Sequence, residues 1–228
     1  MDTDHVAAAE YLEAIFEMAE EDIPTAQARV AAWMGVSAAS VSEAVKRLTR
    51  DGLITVEGRR LHFTPRGAEI AATLVRRHRL AEHFLIRILG LPWHRAHEEA
   101  QRWERVISAD VEERMVALLD DPGSCPHGNP IPGSSHPVDL SRTISLDRAL
   151  PQSSFRLRRL TEDLELDLPV MRFLEDVGLV PGAVVLVVSV GPDGTRSLEV
   201  DGRATALGPS LADHLWVEPL DRTVGSVA

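Results

Sequence analysis

Side chains able to hold a metal ion recur at helical spacing in the middle of this sequence. His78 and Glu82 are four apart and share one helix face. His97, Gln101, Glu104 and Arg105 fall at i, i+4, i+7 and i+8, again on one face. Two imidazoles and two carboxylates could therefore converge between two helices, the alternative being a solvated polar face with incidental histidines. Upstream, Glu10 and Glu13 lie three apart on a first helix expected over residues 5–22, either as solvated acids or as metal ligands. Downstream, Cys125 and His127 are two apart, a spacing that can put a thiolate and an imidazole on one ion. By itself that pair is a weak signal.

The elements that would position these groups are legible. Apolar residues recur three and four apart through Ile70, Leu74, Leu80, Phe84 and Ile88; Gly90-Leu91-Pro92 breaks the pattern, and a second helix is predicted from Trp93 to Leu119. Residues 120–153 are rich in Pro and Gly and read as loop and linker. From Ser154 onward short strands are expected at Phe155–Leu160, Val184–Val190, Arg196–Val200 and Leu215–Pro219, with a helix Pro169–Val177 inserted. That is the pattern of a small SH3-like barrel.

Residues 24–67 carry the most specific local pattern. A helix capped by Thr25 runs to Trp33, Gly35 closes it, and a second helix follows from Ala38 to Asp51, with Val30, Val36, Val41, Val45 and Leu48 facing inward. Leu53–Val56 and Arg60–Phe63 alternate like a hairpin, which makes a winged helix-turn-helix. A helix entering the major groove needs small residues at its N-terminal end and cations along its flank. Ser37, Ala39, Ser40 and Ser42 meet the first need; Lys46, Arg47 and Arg50 meet the second; Arg59 and Arg60 sit at the wing tip. Glu43 on the same helix repels phosphate unless it reads a cytosine amine. From Val36 to Arg66 there are six Lys/Arg against three Asp/Glu, so the segment is basic within a chain of net charge −11.

The bulk properties narrow the classes. A length of 228 residues implies two or three units. No apolar run approaches the roughly 18 residues that span a bilayer, and Met1-Asp2-Thr3-Asp4-His5 lacks the basic start of a signal peptide, so a cytoplasmic protein without membrane contact is expected. A single cysteine rules out an internal disulfide. The chain lacks His-Glu-x-x-His, G-x-S-x-G and a phosphate-binding glycine loop, which argues against a metal-dependent hydrolase and against an enzyme generally.

Taken together, Ala9-Glu10-Tyr11-Leu12, Ser37-Ala38-Ala39-Ser40-Val41-Ser42-Glu43 with Asp51-Gly52-Leu53, Arg77-His78-Arg79-Leu80-Ala81-Glu82, His97-Glu98-Glu99-Ala100, Pro126-His127-Gly128-Asn129-Pro130 and Gly178-Leu179-Val180-Pro181-Gly182 form a pattern that covers nearly the whole chain. In these the chain resembles the diphtheria-toxin-repressor family of metal-responsive transcription factors, with its iron-dependent and manganese-dependent branches. The resemblance implies an α+β multidomain chain: a winged helix-turn-helix over residues 1–67, a helical metal-binding and dimerisation domain over 68–133, a linker over 134–153, and an SH3-like, FeoA-type domain over 154–228. It implies a homodimeric repressor of metal-homeostasis genes on a palindromic double-stranded operator. One implied metal site comprises His78, Glu82, His97, Cys125 and His127, completed by an acid of the third domain, Asp163 or Asp167. The other falls on Glu10, Glu13, Gln101, Glu104 and Arg105. There the chain departs from the family: Gln101 stands where members have Cys or Glu, and Arg105 where they have His. A guanidinium stays protonated and cannot ligate. The second site is therefore expected to be lost or weakened, with Arg105 as a built-in counter-charge and metal dependence reduced. Manganese(II) is expected narrowly ahead of iron(II), with zinc or cobalt binding in vitro.

Overall fold

The computed structural model describes residues 3–220; the expected domain limits at residues 1 and 228 lie outside them. The chain begins with α1 (Thr3–Glu20), α2 (Gln27–Met34) and α3 (Ala38–Arg50), followed by the hairpin β1 (Ile54–Glu57) and β2 (Arg60–Phe63). Leu12, Ile15, Met18, Val30, Val41, Leu48 and Ile54 are buried together, so α1 and α3 share one core. Gly35 closes α2 at φ 64°, a left-handed conformation that glycine adopts without strain. Ser37 caps α3 by accepting from Ser40 N at 3.1 Å. Two expectations are corrected. Ala26, not Thr25, precedes α2, because the Thr25 hydroxyl donates instead to Leu61 O at 2.7 Å and ties the helices to the wing. Val36 is exposed, since the turn at Gly35 swings it outward.

The middle unit opens with α4 (Pro65–Arg87), capped by Thr64. The single helix expected from Trp93 to Leu119 is three pieces: a 3-10 turn at Trp93–Arg95, α5 (Ala96–Trp103) and α6 (Ala109–Leu119). The break has a local cause. Ser108 accepts from Val111 N and starts α6 afresh, with Asp110 and Glu112 in the favourable first turn, while Ile107 is buried at the joint. Glu104 thereby becomes the residue that ends α5. After α6 the loop turns tightly, with Gly128 N donating to Cys125 O and Cys125 N to Asn129 O.

The C-terminal unit comprises β3 (Ile144–Ser145), a 3-10 turn at Leu146–Arg148, β4 (Ser153–Leu160), α7 (Glu162–Glu165), α8 (Leu168–Asp176), β5 (Val184–Val190), β6 (Arg196–Val200), β7 (Arg203–Leu207), α9 (Pro209–Asp213) and β8 (Leu215–Pro219). The strands form one antiparallel sheet in the order β3-β8-β4-β5-β6-β7, folded over Leu146, Leu157, Leu174, Val187 and Val217. β3 and buried Leu146 fall inside the stretch expected as linker, so the sheet starts before Ser154. Trp93 of the middle unit joins this core, and its Nε1 donates to Pro126 O. Among the described residues no helix is long and apolar enough to cross a membrane.

Candidate metal centre and nucleic-acid interface

Helix α4 presents His78 and Glu82 one turn apart, and α5 presents His97 toward them. The loop supplies Cys125 and His127 because it lies hard against β4: a Cβ on Gly128, at φ 97°, would stand 2.0 Å from Arg158 O, and Leu160 N donates to His127 O. All five side chains are buried and come together. Glu82 Oε1 lies 3.3 Å from His78 Nε2, 3.5 Å from His97 Nδ1 and 3.1 Å from His127 Nδ1. The groups His78–Glu82–His97 and Glu82–Cys125–His127 each offer donor atoms within 4.8 Å of one another.

The third-domain acids are Glu162 and Glu165, not Asp163 or Asp167. Glu165 Oε2 lies 3.1 Å from His97 Nδ1 and 2.9 Å from His127 Nδ1, and His97, Glu162 and Glu165 form a third candidate group. Asp163 instead pairs with His214 at 3.2 Å, and Asp167 caps α8 by accepting from Val170 N. On a one-turn helix the residues three apart face the same way, and Glu162 and Glu165 are that pair. The signal in the sequence was this i, i+3 spacing.

The electrostatics fit a cation. Glu82 Oε2 is buried with no hydrogen-bond partner, an arrangement that is costly unless a cation balances it. Burial alone would discharge the imidazoles, but their bonds to carboxylates win. His78 is held well above its usual range by Glu104 and Glu82, and His127 by Glu165 and Glu82. His97 is raised to about 9 by Glu165 and Glu82. Burial raises Glu82, and the three imidazoles more than reverse it, holding it well below the carboxylate range. Protonated imidazoles here balance the buried carboxylates. The donor set of carboxylate, imidazole and thiol suits a divalent transition metal, which would release those protons on binding. The Cys125 thiol is pushed up by burial and by Glu82, so it ionises only with such a charge beside it.

Glu10, Glu13 and Glu104 are not gathered into a candidate ligand group among the described residues. Glu104 Oε2 accepts from His78 Nδ1 at 2.6 Å. Arg105 Nη2 donates to Glu10 Oε1 at 2.9 Å, and its Nε lies 3.4 Å from Glu104 Oε1. The Gln101 amide nitrogen is 3.1 Å from His97 Nε2. Glu13 faces a cavity of about 350 Å³ between α1 and α5, its carboxyl raised to about 9 by burial and by Glu104. Gln101, Glu104 and Arg105 thus act on the imidazoles of the first cluster and on α1.

On α3, Ser37, Ala39, Ser40, Glu43, Lys46 and Arg50 are exposed and Ser42 and Arg47 half-buried; Arg59 and Arg60 are exposed on the wing. Glu43 is paired with Lys46 at 2.8 Å, which blunts its repulsion of phosphate.

Three family models match along the chain: the N-terminal DNA-binding domain of iron-dependent repressors over residues 6–61, the metal-binding and dimerisation domain of iron-dependent repressors over 64–133, and the FeoA domain over 144–219. The iron-dependent repressor IdeR of Mycobacterium tuberculosis is 37% identical over 215 residues, 90% of this chain and 93% of that protein. The chain belongs to the diphtheria-toxin-repressor family. A diphtheria toxin repressor of Corynebacterium glutamicum is also 37% identical, over 220 residues, covering 92% of this chain and 95% of the relative. Among solved structures, a manganese-dependent transcriptional repressor in complex with manganese superposes with a TM-score of 0.81 at 29% identity, covering 93% of this chain and all of that one. The IdeR of T. acidophilum gives 0.74 at 28%, covering 93% and 97%. The family is one of metal-dependent transcriptional repressors, and its middle domain both binds metal and dimerises.

Proposed function

We propose that this chain is a cytoplasmic, homodimeric repressor that binds a palindromic operator when a divalent ion occupies the cluster of His78, Glu82, His97, Cys125, His127 and Glu165. The observation that carries this reading is that six buried donor residues from α4, α5, the loop and α7 fall in overlapping groups that share Glu82 and His97. An ion held there ties the middle unit to the C-terminal unit. The paired carboxylates and imidazoles supply most of the contacts, and manganese(II) is our first assignment ahead of iron(II). Manganese is bound by the solved repressor with the 0.81 TM-score. Ile88, Leu89, Val106, Val111 and Leu118 form exposed apolar surface on and around α4 and α6, which suits burial against a second copy. Two α3 helices set one helical turn apart would then read the operator.

A second reading is favoured by one contact. Arg105 already bridges α1 and the middle unit through Glu10 and Glu104. That fixed cation stands where a second ion would sit, so operator binding is metal-enhanced yet persists in chelator. The test is to sequence genomic fragments retained by the manganese-loaded chain, then measure their binding with manganese(II), iron(II), zinc(II) and chelator. Enrichment that is stronger with metal supports the main reading; equal binding in chelator overturns it. Complete loss in chelator overturns the Arg105 reading alone.

A further inference from the structure

α1 ends at Glu20, Glu21 follows it, and both acids are held by the rest of the molecule. Glu20 receives two hydrogen bonds from Arg79, at 3.1 and 2.5 Å. The same guanidinium donates to Glu162 of α7 at 3.2 and 2.6 Å, and also to Pro130 O. Glu21 accepts from the backbone N–H of Glu162 at 3.2 Å and pairs with Arg159 of β4 at 3.2 Å. Arg159 in turn donates to Asn129 Oδ1 at 3.1 Å, and the Asn129 amide donates to Glu165 at 2.8 Å. Arg79, Asn129, Arg159, Glu162 and Glu165 are all buried.

We propose that the C-terminal unit is the latch through which the metal centre positions the DNA-binding unit, with Glu165, Asn129, Arg159 and Glu21 as one arm and Glu162, Arg79 and Glu20 as the other. The inference rests on the reading of the buried cluster as the metal centre and adds how that centre reaches α1. α7 is one turn long, so Glu165 and Glu162 move as one body. Once Glu165 is fixed by a ligated cation, Asn129 keeps one amide orientation, and Arg159 is aimed at Glu21. A buried ion pair broken on one side leaves an uncompensated charge, so the network is held whole or let go. Leu12, Ile15 and Met18 of α1 share a core with Val41 and Leu48 of α3. A fixed α1 is therefore a fixed α3. None of Glu20, Glu21 and Arg159 is in a candidate ligand group, so they are positioning residues. This route is separate from the Arg105 contact, which grips α1 near its middle at Glu10.

The experiment uses the full chain with cobalt(II) as the probe, since a thiolate-to-cobalt absorption band reports Cys125 ligation independently of DNA. Amide hydrogen exchange over residues 15–26 is followed with cobalt(II), with manganese(II) and in chelator. In the native chain metal is expected to slow exchange there at least about fivefold, the low end of ordinary site-to-site coupling. In the double variant Glu20→Ala/Glu21→Ala the cobalt band is retained, the slowing disappears, and cobalt affinity falls by the factor of slowing that was lost, because coupling is reciprocal. Arg159→Lys, which keeps the charge but cannot reach both Glu21 and Asn129, serves as the second variant and shows the same loss in smaller degree. A native chain with the cobalt band but no metal effect on residues 15–26 overturns the latch and leaves the metal reading intact. Retained slowing with unchanged cobalt affinity in both variants does the same. Failure of the native chain to bind cobalt(II) at all in equilibrium dialysis overturns the metal reading and the latch with it.

Discussion

Replacing Arg105 separates its tether from its role as a counter-charge. The contact with Glu10 lies at the surface, with side-chain exposures of 21% and 48%, and such pairs contribute about 0.2–1 kcal/mol. The contact with Glu104 differs: that carboxylate is 1% exposed, its Oε1 accepts no hydrogen bond even with Arg105 present, and the guanidinium 3.4 Å away balances its charge. Removing the partner of a buried charge is destabilising by up to about 3–5 kcal/mol, less here because Arg105 is itself partly exposed. Arg105→Met should therefore destabilise the metal-free chain mostly through Glu104, measured by urea unfolding in chelator, and a double-mutant cycle with Glu10→Gln should isolate a coupling of no more than about 1 kcal/mol. Residual operator binding in chelator should weaken at most about fivefold, the equivalent of that coupling. Arg105→His removes the fixed cation and restores an imidazole. Equilibrium dialysis against manganese(II) should then find two ions per chain where the native chain holds one. Two tightly held ions in the native chain, with Glu10 and Glu104 both required, would refute the reasoning.

Four other outcomes can be checked. Cys125→Ser should abolish the cobalt–thiolate band and lower metal affinity about 10-fold or more; a lower melting temperature with unchanged metal response would make the cysteine a structural pin only. Gly128→Ala must both strain a residue at φ 97° and displace Arg158 O from 2.0 Å, so it should destabilise the chain by about 1–3 kcal/mol and weaken metal binding as the loop leaves β4. The Asp163–His214 pair should be pH-dependent. Asp163 is raised by burial but lowered further by His214 and Thr161, and His214 is raised by Asp163. The Asp163 contribution is present above its unfolded pKa and lost as pH falls through the depressed one, while that of His214 is present below its unfolded pKa and lost as pH rises through the raised one. The pH-dependent part of the cost of His214→Ala should therefore be less than about 1 kcal/mol near pH 5 and vanish at alkaline pH, where the 2.7 Å hydrogen bond with Thr161 remains, by thermal melts in chelator. Arg59→Ala on the wing should weaken binding to all bound fragments alike and reduce the slope of log affinity against log salt by about 0.9.

Much of this molecule is written locally. The i, i+4 spacing of His78 and Glu82, the Gly35 turn with Ser37 beyond it, and the alternation in Val184–Val190, Arg196–Val200 and Leu215–Pro219 depend on neighbours a few residues away, and those elements lie where sequence reasoning put them. Local signals failed where distant contacts compete. Thr25 looks like a cap until Leu61 O takes its hydroxyl. β7, with Ala204 and Ala206 among its few apolar residues, is a strand because β6 lies beside it. The helix break at Glu104–Ser108 was present as a Ser-Ala-Asp start signal inside an otherwise continuous apolar pattern. The sequence by itself determined which donors exist, that Arg105 can never be a ligand, and that α3 carries cations and small residues. Only the tertiary structure decided which donors meet. It chose Glu162 and Glu165 over Asp163 and Asp167, turned Gln101 and Glu104 toward the imidazoles of the other cluster, and buried Arg79 and Arg159 between three units. The reason is that a carboxylate or guanidinium taken out of water must find its partner wherever the packing of helices and sheet leaves one, and that partner is set by contacts far apart in the chain.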